Sequence, residues 1–204
     1  MRNSLWPLAW LFQWLSWLRN KLYNFNFLSQ TKIETPVVCV GNISAGGTGK
    51  TPWVQLLSQY FSDNGKNVAI LSRGYSGDFD GVLKVTEDMD PRKCGDEPLW
   101  LKRNTKAQVY VGRNRLLAAQ RAKKECSPDL FILDDGFQHR RLQRDLNLVL
   151  VDASAPRRHY RPLPVGYLRE GFSALSRADL VVINKCNYAD PENLNWLKNK
   201  VSKL

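Results

Sequence analysis

Histidine is scarce in this sequence: His139 and His159 are the only two in 204 residues. The four cysteines, Cys39, Cys94, Cys126 and Cys186, include no C-x-x-C pair. That absence excludes a compact zinc site and a disulfide scaffold, and scattered single thiols fit a reducing compartment. No acidic residue appears before Glu34. No recognisable nucleic-acid-reading module is present, so the net charge of +11 carries no nucleic-acid assignment by itself. With 43% hydrophobic and 24% charged residues, the composition is globular, which excludes disordered, collagen-like and coiled-coil readings. The basic excess still seeks polyanions: anionic headgroups or phosphorylated substrates.

Four of the seven tryptophans, Trp6, Trp10, Trp14 and Trp17, crowd into residues 1–28. From Leu5 to Leu18 only Gln13 and Ser16 are polar. Fourteen helical residues rise roughly 21 Å at about 1.5 Å each, short of the roughly 30 Å hydrocarbon core. Gln13, Ser16, Asn20 and Asn24 recur at helical spacing, in a stripe opposite the tryptophans and leucines. Arg2, Arg19 and Lys21 flank the segment. Tryptophan favours the headgroup zone and cations favour anionic leaflets, so residues 1–28 read as a helix lying in a membrane surface. The competing readings are a helix packed on the protein core and a signal peptide, but no small-x-small cleavage site follows.

Pro36–Val40 is a short β-branched run that reads as a buried strand. Gly41-Asn42-Ile43-Ser44-Ala45-Gly46-Gly47-Thr48-Gly49-Lys50-Thr51 follows, and residues 52–61 read as a helix. Strand, glycine-rich loop, Gly-Lys-Thr and helix make a P-loop. Its glycines let backbone N–H groups turn toward phosphate oxygens, and the helix start adds positive partial charge. Lys50 is placed for the β- and γ-phosphates, and the Thr51 hydroxyl for Mg²⁺. Ser44 stands where the first glycine of G-x-x-x-x-G-K-T is usual, so the loop is closer to G-G-x-G-K-T.

A P-loop needs a metal acid on a neighbouring strand. The run Leu130–Leu133 ends in Asp134-Asp135-Gly136, and either aspartate fits that place. Further strands are expected at Val68–Leu71, Val109–Val111, Leu146–Val151 and Leu180–Ile183, with helical stretches such as Arg115–Glu125 between them. The alternation predicts an α/β fold of the P-loop NTPase type: a mostly parallel sheet with helices on both faces. Asn184-Lys185-Cys186-Asn187 faintly resembles the guanine-reading N-K-x-D motif, but Asn187 replaces its aspartate. Polar clusters follow several strands: 72–77, 95–98, 136–141 and the basic stretch 157–170. Basic loops beside a nucleotide suit a second anionic substrate. Asp96 also fits a helix N-cap or its neighbour. His139 lies four residues after Asp135 and is a candidate for the same pocket.

Taken in order, V-V-C-V-G-N-I-S-A-G-G-T-G-K-T-P (37–52), S-R-G-Y (72–75), G-D-E-P (95–98), V-G-R-N-R (111–115), D-D-G-F-Q-H-R-R-L (134–142) and L-R-E (168–170) make a sequence that resembles the tetraacyldisaccharide 4'-kinases. The resemblance implies ATP- and Mg²⁺-dependent phosphorylation of the 4' hydroxyl of a lipid A precursor. It places the chain at the cytoplasmic face of the bacterial inner membrane, with a glycolipid substrate, no nucleic acid and no obligate protein partner. It implies that Ser44, Ala45, Gly46, Gly47, Thr48, Gly49, Lys50 and Thr51 bind ATP phosphates. Asp134 or Asp135 would serve magnesium with Thr51, Glu170 would help, and Asp96 would act on the attacking hydroxyl. Arg73, Tyr75, Arg115, Gln138 and His139 would face phosphate or disaccharide. The organisation expected is a membrane-interface helix, 1–28, and a kinase domain, 29–204. The family continues into a smaller C-terminal part whose histidine partners the G-D-E-P aspartate, and this sequence holds no histidine after His159. Two other readings compete: a membrane-associated switch ATPase, which would carry lysine where Ala45 stands, and a nucleotide-binding chain without full catalysis.

Overall fold

The computed structural model describes residues 5–203, so Arg2, one of the expected flanking cations, lies outside the described residues. The chain divides into two compact units. One comprises Thr31–Gly41 and Lys50–Leu146; the other comprises Asn42–Gly49 with the described parts of Met1–Gln30 and Asn147–Leu204.

In the first unit, five strands lie in the order β3-β4-β2-β5-β1. They are β1 (Val37–Asn42), β2 (Val68–Ser72), β3 (Val82–Val85), β4 (Gln108–Gly112) and β5 (Leu130–Asp134). All run parallel except β3, which pairs antiparallel with β4 at the edge. β2 and β5 are buried along their whole length, as unbroken Val/Ile/Leu runs require of a sheet covered on both faces. The chain steps from β1 to β2 to β4 in one direction and returns from β4 to β5 in the other. Right-handed crossovers therefore put α2 (Lys50–Asp63) and α4 (Asp96–Asn104) on one face and α5 (Arg115–Cys126) on the opposite one. Gln55 and Gln59 of α2 both donate to the Asn104 carbonyl that ends α4. α5 buries Ala118, Ala119 and Ala122, so it lies close on the sheet, and Asn114 caps its start by accepting from the Leu116 N–H. The short helix α3 (Pro91–Cys94) is capped likewise by Asp90.

The reversal of direction falls at β5 and β1, and ligands of open α/β sheets bind beyond the strand ends at such a point. Register makes this concrete: Val40 of β1 is level with Asp134 of β5.

The second unit holds the parallel pair β6 (Leu146–Asp152) and β7 (Leu180–Asn184), with Asp152 level with Asn184 at their C-terminal ends. Helix α6 (Pro191–Val201) is started by Asp190, which accepts from the Asn193 N–H. Its Trp196 packs with Tyr160 and Phe172, ring centres 5.6 and 5.8 Å away.

The N-terminal helix α1 (Trp6–Asn24) belongs to this unit and turns its polar stripe inward. Ser16 donates to the Arg169 carbonyl, and Asn20 donates to the Glu170 carboxylate at 2.6 Å. Gln13, Ser16, Asn20 and Asn24 line a cavity of about 240 Å³ with Glu170 and Arg177. Leu8, Trp10, Leu11, Trp14, Leu15 and Trp17 face outward, Trp10 with 71% of its surface exposed. The core-helix reading thus fails for the apolar side, because Ala9 alone is buried along α1. Among the described residues, no helix is long and apolar enough to cross a membrane.

Candidate functional site

The glycine-rich loop belongs to the unit of β6 and β7. Gly46 and Gly49 adopt φ of +109° and +87°, conformations that a side chain would strain. The Ala45 N–H is held by the Tyr167 carbonyl at 2.7 Å, and the Thr48 hydroxyl accepts from Asn42 at 2.8 Å. Ser44 is buried where the usual first glycine would stand, and Gly46 and Gly47 are exposed.

Lys50 and Thr51 open α2 in the unit of the five-stranded sheet. The Lys50 ammonium lies 3.6 Å from an oxygen of Asp135, which sits just past β5 at φ +50°. Asp134, the last residue of β5, is 1% exposed. Its Oδ2 accepts from the Ser72 hydroxyl at 3.0 Å, and its Oδ1 has no hydrogen-bond partner among the described residues. Burial pushes its carboxyl up to about 6, and Glu97 and Asp135 push the same way. The Ser72 hydroxyl and Lys50 hold it down in part.

A ring of cations surrounds this pair. Arg115 is buried and donates to the Gly112 carbonyl at 3.0 Å. Burial draws its guanidinium down to about 10, with Asp134 resisting and Arg73 adding to the fall. Burial, then Arg115, Arg144, Arg141 and Arg73, drive His139 down to about 4. His139 is therefore a neutral ring at pH 7, able to donate at one nitrogen and accept at the other. Arg144 spans the Gly136 and Phe137 carbonyls, which fixes the turn after Asp135.

Within the unit of the five-stranded sheet two of the sequence motifs meet. The Ser72–Tyr75 loop presses on G-D-E-P so closely that a Cβ on Gly95 would come within 2.6 Å of the Tyr75 carbonyl. Asp96 stands in the first turn of α4 with an exposed side chain. Gly95 occupies the N-cap position and Asp96 follows it as the first helical residue, so Asp96 is the neighbour of the cap rather than the cap itself. Arg73 and Tyr75 are exposed at the end of β2, and Gln138 is half-buried in the turn after β5.

Glu170 lies in the unit of α1, where its carboxylate is flanked by Arg177 at 2.8 Å, Asn20 at 2.6 Å and Arg19 at 3.6 Å. Those partners join α1 to the rest of its unit. Sequence reading placed Ser72 in a candidate loop but did not reveal its hydroxyl bond to Asp134. It singled out Asn184 and Lys185 only as a faint guanine motif, not as partners of the glycine-rich loop across more than a hundred residues, and it missed Asp152, which holds Lys185.

The model of the family described as tetraacyldisaccharide-1-P 4'-kinase matches residues 1–204. The tetraacyldisaccharide 4'-kinase of Bdellovibrio bacteriovorus is 38% identical over 206 residues, spanning 100% of this chain and 61% of that protein. The kinase of the same name from an Azoarcus species is 45% identical over 181 residues, 87% of this chain and 52% of its own. The crystal structure of "apo" form LpxK from Aquifex aeolicus in complex with ATP superposes with a TM-score of 0.85 at 39% identity. That likeness covers 91% of this chain and 59% of the other. The chain thus spans about half to three-fifths of the length of these relatives. The fold is the expected α/β type, and with a match that runs along the whole sequence the chain belongs to the tetraacyldisaccharide-1-P 4'-kinase family.

Proposed function

We propose that this chain carries phosphoryl transfer from ATP to the 4' hydroxyl of a tetraacyldisaccharide 1-phosphate, a step of lipid A synthesis, at the cytoplasmic face of the inner membrane. One observation carries the reading: a lysine at the start of the P-loop helix lies 3.6 Å from the carboxylate that follows the neighbouring strand. In such a site the lysine and the loop's N–H groups hold phosphate oxygens as charge shifts to the leaving group.

The donor set fits magnesium. Among the described residues there is no cluster of three or more metal-binding side chains. Mg²⁺ needs none, because it takes one or two carboxylates and completes its shell with phosphate oxygens and water. Asp134 offers a buried oxygen that accepts no hydrogen bond, and Asp135 and the Thr51 hydroxyl complete the protein's share. When bound, the ion neutralises charge on the transferring phosphate. Asp96, with its exposed carboxylate, orients the sugar hydroxyl and takes its proton. Arg73, Tyr75, Arg115, Gln138 and neutral His139 face the anionic groups of the two substrates.

The outward tryptophans of α1 seat the chain on the bilayer, and Lys21, stacked 5.7 Å over Trp17, adds a cation at headgroup level. The test is transfer of label from γ-labelled ATP to the disaccharide lipid in mixed micelles. Transfer is expected, and Lys50→Ala and Asp96→Ala should abolish it while leaving the fold intact. ATP binding without any transfer would assign this chain nucleotide binding alone.

A further inference from the structure

The run Asn184-Lys185-Cys186-Asn187 plays no part in the function above. The structure gives its first two residues a definite task. Lys185 adopts a left-handed backbone, φ +57°, and its N–H donates to Asn184 Oδ1 at 2.9 Å. Its Nζ donates to the Gly47 carbonyl at 2.6 Å and to Asp152 Oδ2 at 2.6 Å. Asn184 Nδ2 donates to the next loop carbonyl, Thr48, at 3.0 Å. Asp152 is itself fixed, since its Oδ1 accepts from both the N–H and the hydroxyl of Ser154. Burial works to raise the Asp152 carboxyl, but Lys185 and Ser154 prevail and hold it below the usual carboxylate range. The fit is closed: a Cβ on Gly49 would stand 2.5 Å from Asn184 Nδ2.

The consequence follows from peptide geometry. A trans peptide is planar, with its C=O and N–H pointing opposite ways. Two side chains from the end of β7 pull the carbonyls of Gly47 and Thr48 toward themselves. The same peptide planes then turn the N–H of Thr48 and of Gly49 away from β7. Thr48 returns its N–H to the Gly46 carbonyl, which tightens the turn.

We propose that Lys185, held by Asp152 and assisted by Asn184, is a positioning residue that clamps the outer carbonyls of the loop, so that its amides are preset for nucleotide phosphate. The inference rests on reading the loop as the nucleotide site. It gives the asparagine and lysine a role that requires no guanine, and Asn187 no role at all.

The experiment measures ATP affinity and melting temperature of the full chain in detergent micelles for wild type, Lys185→Met, Lys185→Arg and Asn193→Ala. Asn193 is the control: buried in the same unit, it bonds the Ala153 and Ala155 carbonyls and makes no hydrogen bond to the loop. Loss of a charge-assisted bond should weaken ATP about tenfold in Lys185→Met. Lys185→Arg, which keeps a charged donor, should stay within about threefold of wild type. Asn193→Ala should melt several degrees lower yet bind ATP within about twofold of wild type. The proposal is overturned if Lys185→Met binds ATP like wild type, or if Asn193→Ala loses as much affinity. A wild-type chain that binds no ATP would instead overturn the nucleotide reading.

Discussion

Asp134 and Glu170 are equally buried, each 1% exposed, yet they live in opposite surroundings. Each has one oxygen with no hydrogen bond among the described residues, but Asp134 has a single hydroxyl donor on the other, and Glu97 and Asp135 add negative charge that Lys50 offsets only in part. Glu170 sits against two guanidinium groups and an amide. Burial alone does not say what an acid is for. An acid matched by cations of its own chain is a joint. One that has cations nearby but no ion pair of its own, as Asp134 does, costs stability when charged.

The sharpest way to break the comparison is Glu170→Gln, which removes the carboxylate that faces Arg177 and Arg19. Removing one member of a buried pair leaves uncompensated charge, and a loss of about 3 kcal/mol is expected by urea denaturation. Stability within about 0.5 kcal/mol of wild type would make Glu170 as dispensable structurally as Asp134.

Asp134→Asn should move stability the other way. The folded carboxyl titrates at about 6, above the roughly 3.9 of an unfolded aspartate. Its protonation stabilises the fold as pH falls through 6 toward 4, and the charged form burdens it above 6. In magnesium-free buffer at pH 8, the asparagine variant should be about 2 kcal/mol more stable, with the gain vanishing toward pH 4. The proposed transfer activity should vanish with it.

His139 sharpens the picture with the opposite sign. Its ring titrates at about 4 in the fold, below its ordinary value. The unfolded chain takes up that proton first, so stability falls as pH drops from 6.5 to 4. His139→Gln should flatten that decline, measured as melting temperature across the window. The smallest effect is expected from Ser72→Ala. Losing the hydroxyl that stabilises the charged form should raise the Asp134 carboxyl further and move the acid limb of the activity profile to higher pH.

Most of the fold was legible because its signals are local. The buried strands announce themselves as β-branched runs, and β5 ends one residue beyond its apolar stretch, at Asp134. The P-loop packs its chemistry into eight residues. β3 escaped because it is a short, half-buried edge strand with Lys84 in its middle. α6 went unread although its signals are local, an Asp190 cap followed by Pro191 and an amphipathic run. The polar stripe of α1 was readable as a period, but not what it faces, since Asn20 meets Glu170 across 150 residues. The clamp on the loop has the same character: Lys185 and Gly47 are 138 positions apart. The set Ser44–Thr51, Asp96 and Asp134 or Asp135 came from motif and resemblance; the pairing of Lys50 with Asp135 and the isolation of Asp134 came only from space.

The distance between α1 and its protein partner also has a meaning in time. A ribosome adds roughly 5–20 residues per second. The 150 residues between Asn20 and Glu170 therefore take roughly 8–30 s to make. A helix forms in about a microsecond, so throughout that interval α1 exists without the carboxylate that will hold its polar side. Its outward face of Trp10, Trp14 and Trp17 is exposed to solvent in the finished fold. If α1 docks on a bilayer as proposed, the newborn chain would be moored while its sheet is still being synthesised, and Glu170 would arrive to a helix already in place.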